Sequence, residues 1–126
     1  RAKEGLRVCE EVTRFILDNR RLTSELKIIR HNLNSIAASL AAKDKLIKER
    51  SSLKDVGRFL KANELRRSGV SDIFSANIGR VKESVRVLEE FSKLINLKAA
   101  LGFKSIRYRI YEIEKKASAS LSRSGK

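Results

Sequence analysis

The opening segment of the chain, Arg1 to Phe15 (RAKEGLRVCEEVTRF), returns 79 positions later as Arg80 to Leu94 (RVKESVRVLEEFSKL). Seven of the fifteen positions are identical: Arg1/Arg80, Lys3/Lys82, Glu4/Glu83, Arg7/Arg86, Val8/Val87, Glu10/Glu89 and Glu11/Glu90. Arg14/Lys93 keeps its charge, and most other pairs are apolar or small in both copies. Such a repeat constrains the fold strongly, because two segments sharing one pattern call for one local structure.

The likeness continues downstream. Leu26, Ile29, Leu33, Ile36 and Leu40 follow alternating steps of three and four residues, as do Phe103, Ile106, Ile110, Ile113 and Ala117. Both runs are the apolar stripe of a packed helix. Aligning them pairs Lys27 with Lys104 and Arg30 with Arg107 at an offset of 77, so the turn joining the two segments is two residues shorter in the second copy. Each copy reads as helix, short turn, long helix. The first turn is expected near Asp18 to Thr23, with Thr23 or Ser24 as N-cap, and the second near Asn96 and Leu97. Proline is absent and there are only six glycines, so nothing interrupts long helices.

The expected fold is therefore all-α, an antiparallel helical bundle of two duplicated helical hairpins with a short connecting helix. A single helical domain covers residues 1–117: repeat one is 1–50, a connector 51–71 and repeat two 72–117, with 118–126 a flexible tail. Leu53, Val56, Leu60 and Leu65 are spaced for the connecting helix, and Ser71 is placed to cap the helix beginning near Asp72. The start at Arg1 rather than methionine suggests a fragment of a longer chain.

One charged stripe is kept in both copies. On a helical wheel of about 100° per residue, Arg7, Glu11 and Arg14 fall within about 80° of Glu4. Glu83, Arg86, Glu90 and Lys93 repeat the arrangement. Three readings stand side by side: a solvated face of weak ion pairs, a structural network at a two-fold pseudo-axis, or a ligand site. In the last, Arg7, Arg14, Arg30, Arg86 and Arg107 would bind phosphate oxygens, because guanidinium offers a planar fork of donors. Glu4, Glu11, Glu83 and Glu90 would hold those arginines, bind Mg²⁺ or accept a proton. His31, which follows Arg30 as Tyr108 follows Arg107, is a further candidate, although a half-buried polar role is the simpler account.

Net charge is +14, with 29 Lys and Arg against 15 Asp and Glu, so the surface attracts anions. Nine basic residues stand against four acids from Lys43 to Arg67. Nucleic acid is disfavoured all the same. Phe15, Phe91 and Phe103 occupy core-like positions, and no reader motif is present. No metal site is expected, since one histidine and one cysteine cannot build a zinc centre. The lone Cys9 allows no internal disulfide and reads as a small core residue, which fits a cytoplasmic location. No stretch approaches the roughly 20 apolar residues of a membrane span.

The segments RAKEGLRVCEEVTRF with LKIIRHNL, and ANIGRVKESVRVLEEF with FKSIRYRIYEIEK, resemble the helical domain that accompanies thiamin-phosphate synthase in some bacteria. The resemblance covers nearly the whole chain. It implies a role in thiamin biosynthesis as an alternative hydroxymethylpyrimidine-phosphate kinase, with ATP and Mg²⁺ as cofactors and a thiamin-phosphate synthase domain as partner. Asp55 to Gly57 resembles the family's central loop, with Arg58 where a small hydroxyl residue is expected. Asn77, beside Arg80, marks the place of the family's asparagine-containing turn. The synthase barrel itself needs about 200 residues and is absent. Three functions follow: phosphoryl transfer to hydroxymethylpyrimidine phosphate; a non-catalytic module that binds phosphorylated thiamin precursors or docks on the synthase; and a basic nucleic-acid-binding domain.

Overall fold

The computed structural model describes residues 1–41 and 69–124. Asp55, the connecting helix and the basic run from Lys43 to Arg67 lie outside the described residues. Four helices and no strands occur among those described. Helix α1 is Ala2–Glu11, continued by a wider π-helical turn over Val12–Ile16. Helix α2 is Arg20–Ala41, α3 is Val70–Ser92 and α4 is Leu97–Ser124. Helix α1 pairs with α2, and α3 with α4. The two hairpins then pack through α1 on α3 and α2 on α4, giving a four-helix bundle.

The apolar stripes meet as their spacing predicts. Leu6 and Cys9 from α1, Leu26, Ile29, Leu33 and Leu40 from α2, Phe74, Ile78, Val81 and Val85 from α3, and Phe103, Ile106, Ile110 and Ile113 from α4 form one core. Phe15 departs from its expected core position and is 70% exposed. It follows the stripe residue Arg14 on the outer side of the π turn, where no neighbouring helix covers it.

Asparagine, rather than Thr23 or Ser24, begins both long helices. The Asn19 side-chain oxygen accepts from the Leu22 amide at 2.9 Å, and the Asn96 oxygen accepts from the Ala99 amide at 3.2 Å. These asparagines share the 77-residue offset of the stripes. Thr23 is instead used inside the hairpin, its hydroxyl 2.7 Å from that of Thr13. Helix α3 starts at Val70 with Gly69 as its N-cap, two residues ahead of the expected start at Asp72. At the far end, α4 runs through Ser124 rather than giving way to a tail at 118. Leu121 lies four residues after buried Ala117 and is itself buried, so one more turn of stripe holds the helix in place.

The first hairpin contains the two extra residues. Glu10 and its partner Arg30 are 20 residues apart, whereas Glu89 and Arg107 are 18 apart. The surplus is taken up by the π turn, closed by the Leu17 amide donating to the Val12 carbonyl, and by Asp18 at φ 49°. Inserting a residue into a helix widens one turn in this way, and aspartate tolerates the left-handed region better than most residues.

Two glycines set the distance between hairpins. A Cβ on Gly5 would stand 2.7 Å from Val81 Cγ2 and 2.9 Å from the Asn77 carbonyl oxygen. One on Gly102 would meet Ile36 Cδ1 at 2.8 Å. Gly102 is in the second turn of α4 and Ile36 near the C-terminal end of α2, so α2 and α4 run antiparallel. The two hairpin turns therefore point to opposite ends of the bundle.

Gly5→Ala should lose about 1–3 kcal/mol of stability through overpacking against α3, despite alanine's better helix propensity. Gly79→Ala, which meets nothing within 4 Å, should gain about 0.5–1 kcal/mol. Urea midpoints of the two variants check this, and a stabilised Gly5→Ala protein would contradict the close approach of α1 and α3.

Candidate functional site

Two carboxylates that the charged stripe does not include are the buried ones. Glu10 and Glu89 are 2% and 3% exposed. A carboxylate removed from water needs a cation and hydrogen bonds, and each finds an arginine on the second helix of its own hairpin. Arg30 donates from Nε to Glu10 Oε2 at 2.7 Å and from a terminal nitrogen to Oε1 at 3.3 Å. Arg107 donates from Nε to Glu89 Oε1 at 3.1 Å. These hydrogen bonds hold both guanidinium groups above their ordinary pKa, with Tyr111 adding to the effect at Arg107. Both arginines stay partly open, at 17% and 15% side-chain exposure.

The surroundings of the two pairs differ. In the second hairpin Arg86 reaches both Glu89 and Glu90, the latter at 3.0 Å, and Lys93 holds Glu90 at 2.8 Å. The Lys93 hydrogen bond, then the charges of Arg86, Lys93 and Arg107, keep the Glu90 carboxyl below its usual range. Arg107 lies over the rings of Tyr108 and Tyr111, at 5.2 and 6.0 Å. Lys82 lies 5.3 Å from the Tyr111 ring and bonds both oxygens of Glu114 at 2.9 Å. The first hairpin has Ala37 where the second has Glu114 and Asn34 where it has Tyr111. Arg7, the counterpart of Arg86, makes no ion pair with Glu10 or with any other acid among the described residues.

The expected site residues are thus distributed over two hairpins. Arg30 is joined to Glu10, while Arg86, Arg107 and Glu90 gather around Glu89. Glu4, Glu11 and Glu83 are exposed, with Glu11 in loose contact with Arg14 at 3.8 Å. His31 is exposed rather than half-buried, and Tyr108 is exposed as well. Asn77 donates to the Ile73 carbonyl at 2.8 Å beneath Gly5, and Arg80 is partly buried on the same helix. Among the described residues no hydrogen bond or ion pair links the Glu10–Arg30 pair to the group around Glu89. Glu10 and Glu89 were legible in principle. Each is the first of a Glu-Glu doublet, and on the wheel Glu10 falls about 40° from Leu6, inside the margin of the buried face.

The turns also differ. Thr13 Oγ1 bonds the Glu10 carbonyl and meets Thr23, whereas its counterpart Ser92 is buried with no partner for its hydroxyl. Ala100 stands where Thr23 would have supplied one. Leu94, Leu97 and Leu101 form an exposed apolar tip at the second turn, at 83%, 68% and 59% exposure. Cys9 takes no part in the site. Burial, with the Glu114 and Glu10 charges, pushes its thiol up to about 12 from 9.0. Among the described residues no three of His, Cys, Asp and Glu group as a metal cage, and no helix is long and apolar enough to cross a membrane.

A family model described as the ThiD2 family matches residues 1–116 of this chain. Among curated proteins, the chain is similar to the thiamine-phosphate synthase of Synechocystis sp., 41% identical over 115 residues, covering 90% of this chain and 32% of that protein. The thiamine-phosphate synthase of Rhodopirellula baltica is 37% identical over 131 residues, covering 100% of this chain and 35% of that protein. That of Nostoc sp. is 36% identical over 115 residues, covering 90% and 31%. The chain spans about a third of the length of these relatives. No solved structure matches.

Glu89→Ala strands two arginines and should cost about 3–5 kcal/mol, whereas Glu90→Ala, at the surface, should leave the urea midpoint nearly unchanged. Similar urea midpoints for the two variants would show that Glu89 is not a buried anchor. The Cys9 thiol should resist disulfide-exchange reagents at pH 9 until the chain is unfolded. Since its pKa is raised on folding, stability should fall as pH climbs from 9.0 toward about 12, where the unfolded chain releases a proton that the fold retains. Fast thiol labelling of the native protein would contradict its burial.

Proposed function

The chain belongs to the ThiD2 family, and from that membership we propose that it serves thiamine biosynthesis by binding hydroxymethylpyrimidine phosphate and transferring a phosphoryl group to it from ATP. The observation that carries this reading is the pair of guanidinium groups, Arg30 and Arg107, each fixed from behind by a buried glutamate and partly open in front. Phosphoryl transfer asks mainly for positioning and charge neutralisation, and an arginine held by Nε keeps terminal donors for phosphate oxygens. In the step proposed, an oxygen of the acceptor's phosphate attacks the γ-phosphorus of ATP. The bond to the bridging oxygen breaks, and the products are ADP and the pyrimidine diphosphate ester. Mg²⁺ carried on the phosphates of ATP would offset their charge, and no step is routed through it. Tyr108 and Tyr111, already stacked with Arg107, offer aromatic faces to a pyrimidine ring.

A second reading has its own support. Glu10, Glu89 and Glu90 are all held by cations, an arrangement suited to gripping an anion rather than to moving protons. On that reading the domain binds a phosphorylated thiamine precursor, or docks on a synthase like those it resembles, without turnover.

A coupled assay with ATP and hydroxymethylpyrimidine phosphate distinguishes the two. Turnover is expected, and Arg107→Lys, which keeps the charge but loses the fork, should lower kcat/KM by about a hundredfold. Thermal stabilisation by the pyrimidine phosphate without ADP formation would favour the binding module. Neither turnover nor stabilisation would remove both readings.

A further inference from the structure

The turn of the first hairpin opens onto a cleft of about 350 Å³, lined by Arg14, Asp18, Arg20, Thr23, Ser24 and Lys27 together with Asn19. Three cations there face a single acid. Arg14 has only its 3.8 Å contact with Glu11 and a ring contact with Phe15. Among the described residues, neither Arg20 nor Lys27 is in an ion pair. The lining thus carries two uncompensated positive charges on a concave surface.

The second hairpin acts as an internal control. At the positions of Arg14, Arg20, Thr23, Ser24 and Lys27 it has Lys93, Leu97, Ala100, Leu101 and Lys104. Lys93 is held by Glu90, and Lys104 rests against the Tyr108 ring at 5.9 Å. A hairpin with the same asparagine cap and the same Glu–Arg pair therefore closes with leucines where the first has Arg20 and Ser24. The basic cleft is not a requirement of the turn.

We propose that this cleft is a binding site for a small organic monophosphate. Arg14 and Arg20 grip the phosphate oxygens through their planar forks, Lys27 supplies a point charge, and the Ser24 hydroxyl donates to a remaining oxygen. The volume is near the lower end of ligand pockets, which suits a single ring bearing one phosphate. A phosphate monoester carries nearly two negative charges at neutral pH, matching the excess on the lining. The inference rests on the reading above that the ligand is phosphorylated, but it assigns the phosphate to a place apart from Arg30 and Arg107.

The test is calorimetric titration of the 126-residue chain with hydroxymethylpyrimidine phosphate, with inorganic phosphate and with the unphosphorylated pyrimidine, at about 0.15 M salt, where surface fields are screened beyond roughly 8 Å. Both phosphates should bind and the unphosphorylated pyrimidine should not. The double variant Arg20→Leu/Lys27→Ala, which takes its leucine from the second hairpin, should keep its helical circular-dichroism spectrum and weaken both phosphates at least tenfold. Lys104→Ala should leave both unchanged. Unaltered affinity in the double variant would overturn the site, as would an equal loss in Lys104→Ala, which would mark general charge attraction. Failure here is separable from failure of the function proposed above. Turnover that Arg107→Lys abolishes, with binding intact in the double variant, leaves phosphoryl transfer standing and removes the cleft. Loss of binding in the double variant, with no turnover by the unaltered chain, does the reverse.

Discussion

A carboxylate cannot be left alone inside a protein, and among its described residues this bundle buries two. Glu10 and Glu89 lie where their helices turn from core to surface, and each is tolerated only because an arginine from the neighbouring helix reaches it. That requirement fixes the rotation of each long helix about its axis and the register within each hairpin. Apolar stripes alone tolerate slippage by a turn, but a buried Glu–Arg pair does not, since a slip leaves both charges unmatched. Breaking such a pair costs more than its formation contributes, so it acts as a specificity device within the hairpin.

Much of this was readable from the chain itself. The three- and four-residue steps in Leu26 to Leu40 and Phe103 to Ala117 predicted the faces that form the core, and the change of offset from 79 to 77 located the hairpin turns. Position on a wheel was a poorer guide to charge. It selected Glu4, Glu11, Glu83 and Glu90 because they align with arginines, and it left out Glu10 and Glu89, which lie off that stripe at the margin of the apolar face. Periodicity assigns a residue to a face without saying how far a neighbouring helix overhangs it. Overhang decides whether a glutamate is solvated or sealed, and it depends on interhelical distances set by residues such as Gly5 and Gly102. The caps were missed for a related reason. Ser24 is as good an N-cap as Asn19 by residue type, so residue type alone did not place the helix start at Asn19.

The two hairpins are alike in plan and different at their ends. One turn is wide, polar and basic. The other is tight and apolar, with Ser92 lacking the hydroxyl partner that Thr13 has. Around the glutamates the contrast recurs, since Lys82 and Arg86 of the second hairpin are paired with Glu114, Glu89 and Glu90 while their counterparts Lys3 and Arg7 of the first find no acid among the described residues. The scaffold is shared and the chemistry offered at its two ends is not.

The leucine tip formed by Leu94, Leu97 and Leu101 bears on how the isolated chain behaves in concentrated solution. Three apolar side chains on one corner would draw molecules together, while a net charge of +14 drives them apart over about one screening length. Colloidal behaviour is then governed by ionic strength: dilute buffer leaves the repulsion dominant, and added salt shortens its reach until corner-to-corner adhesion prevails.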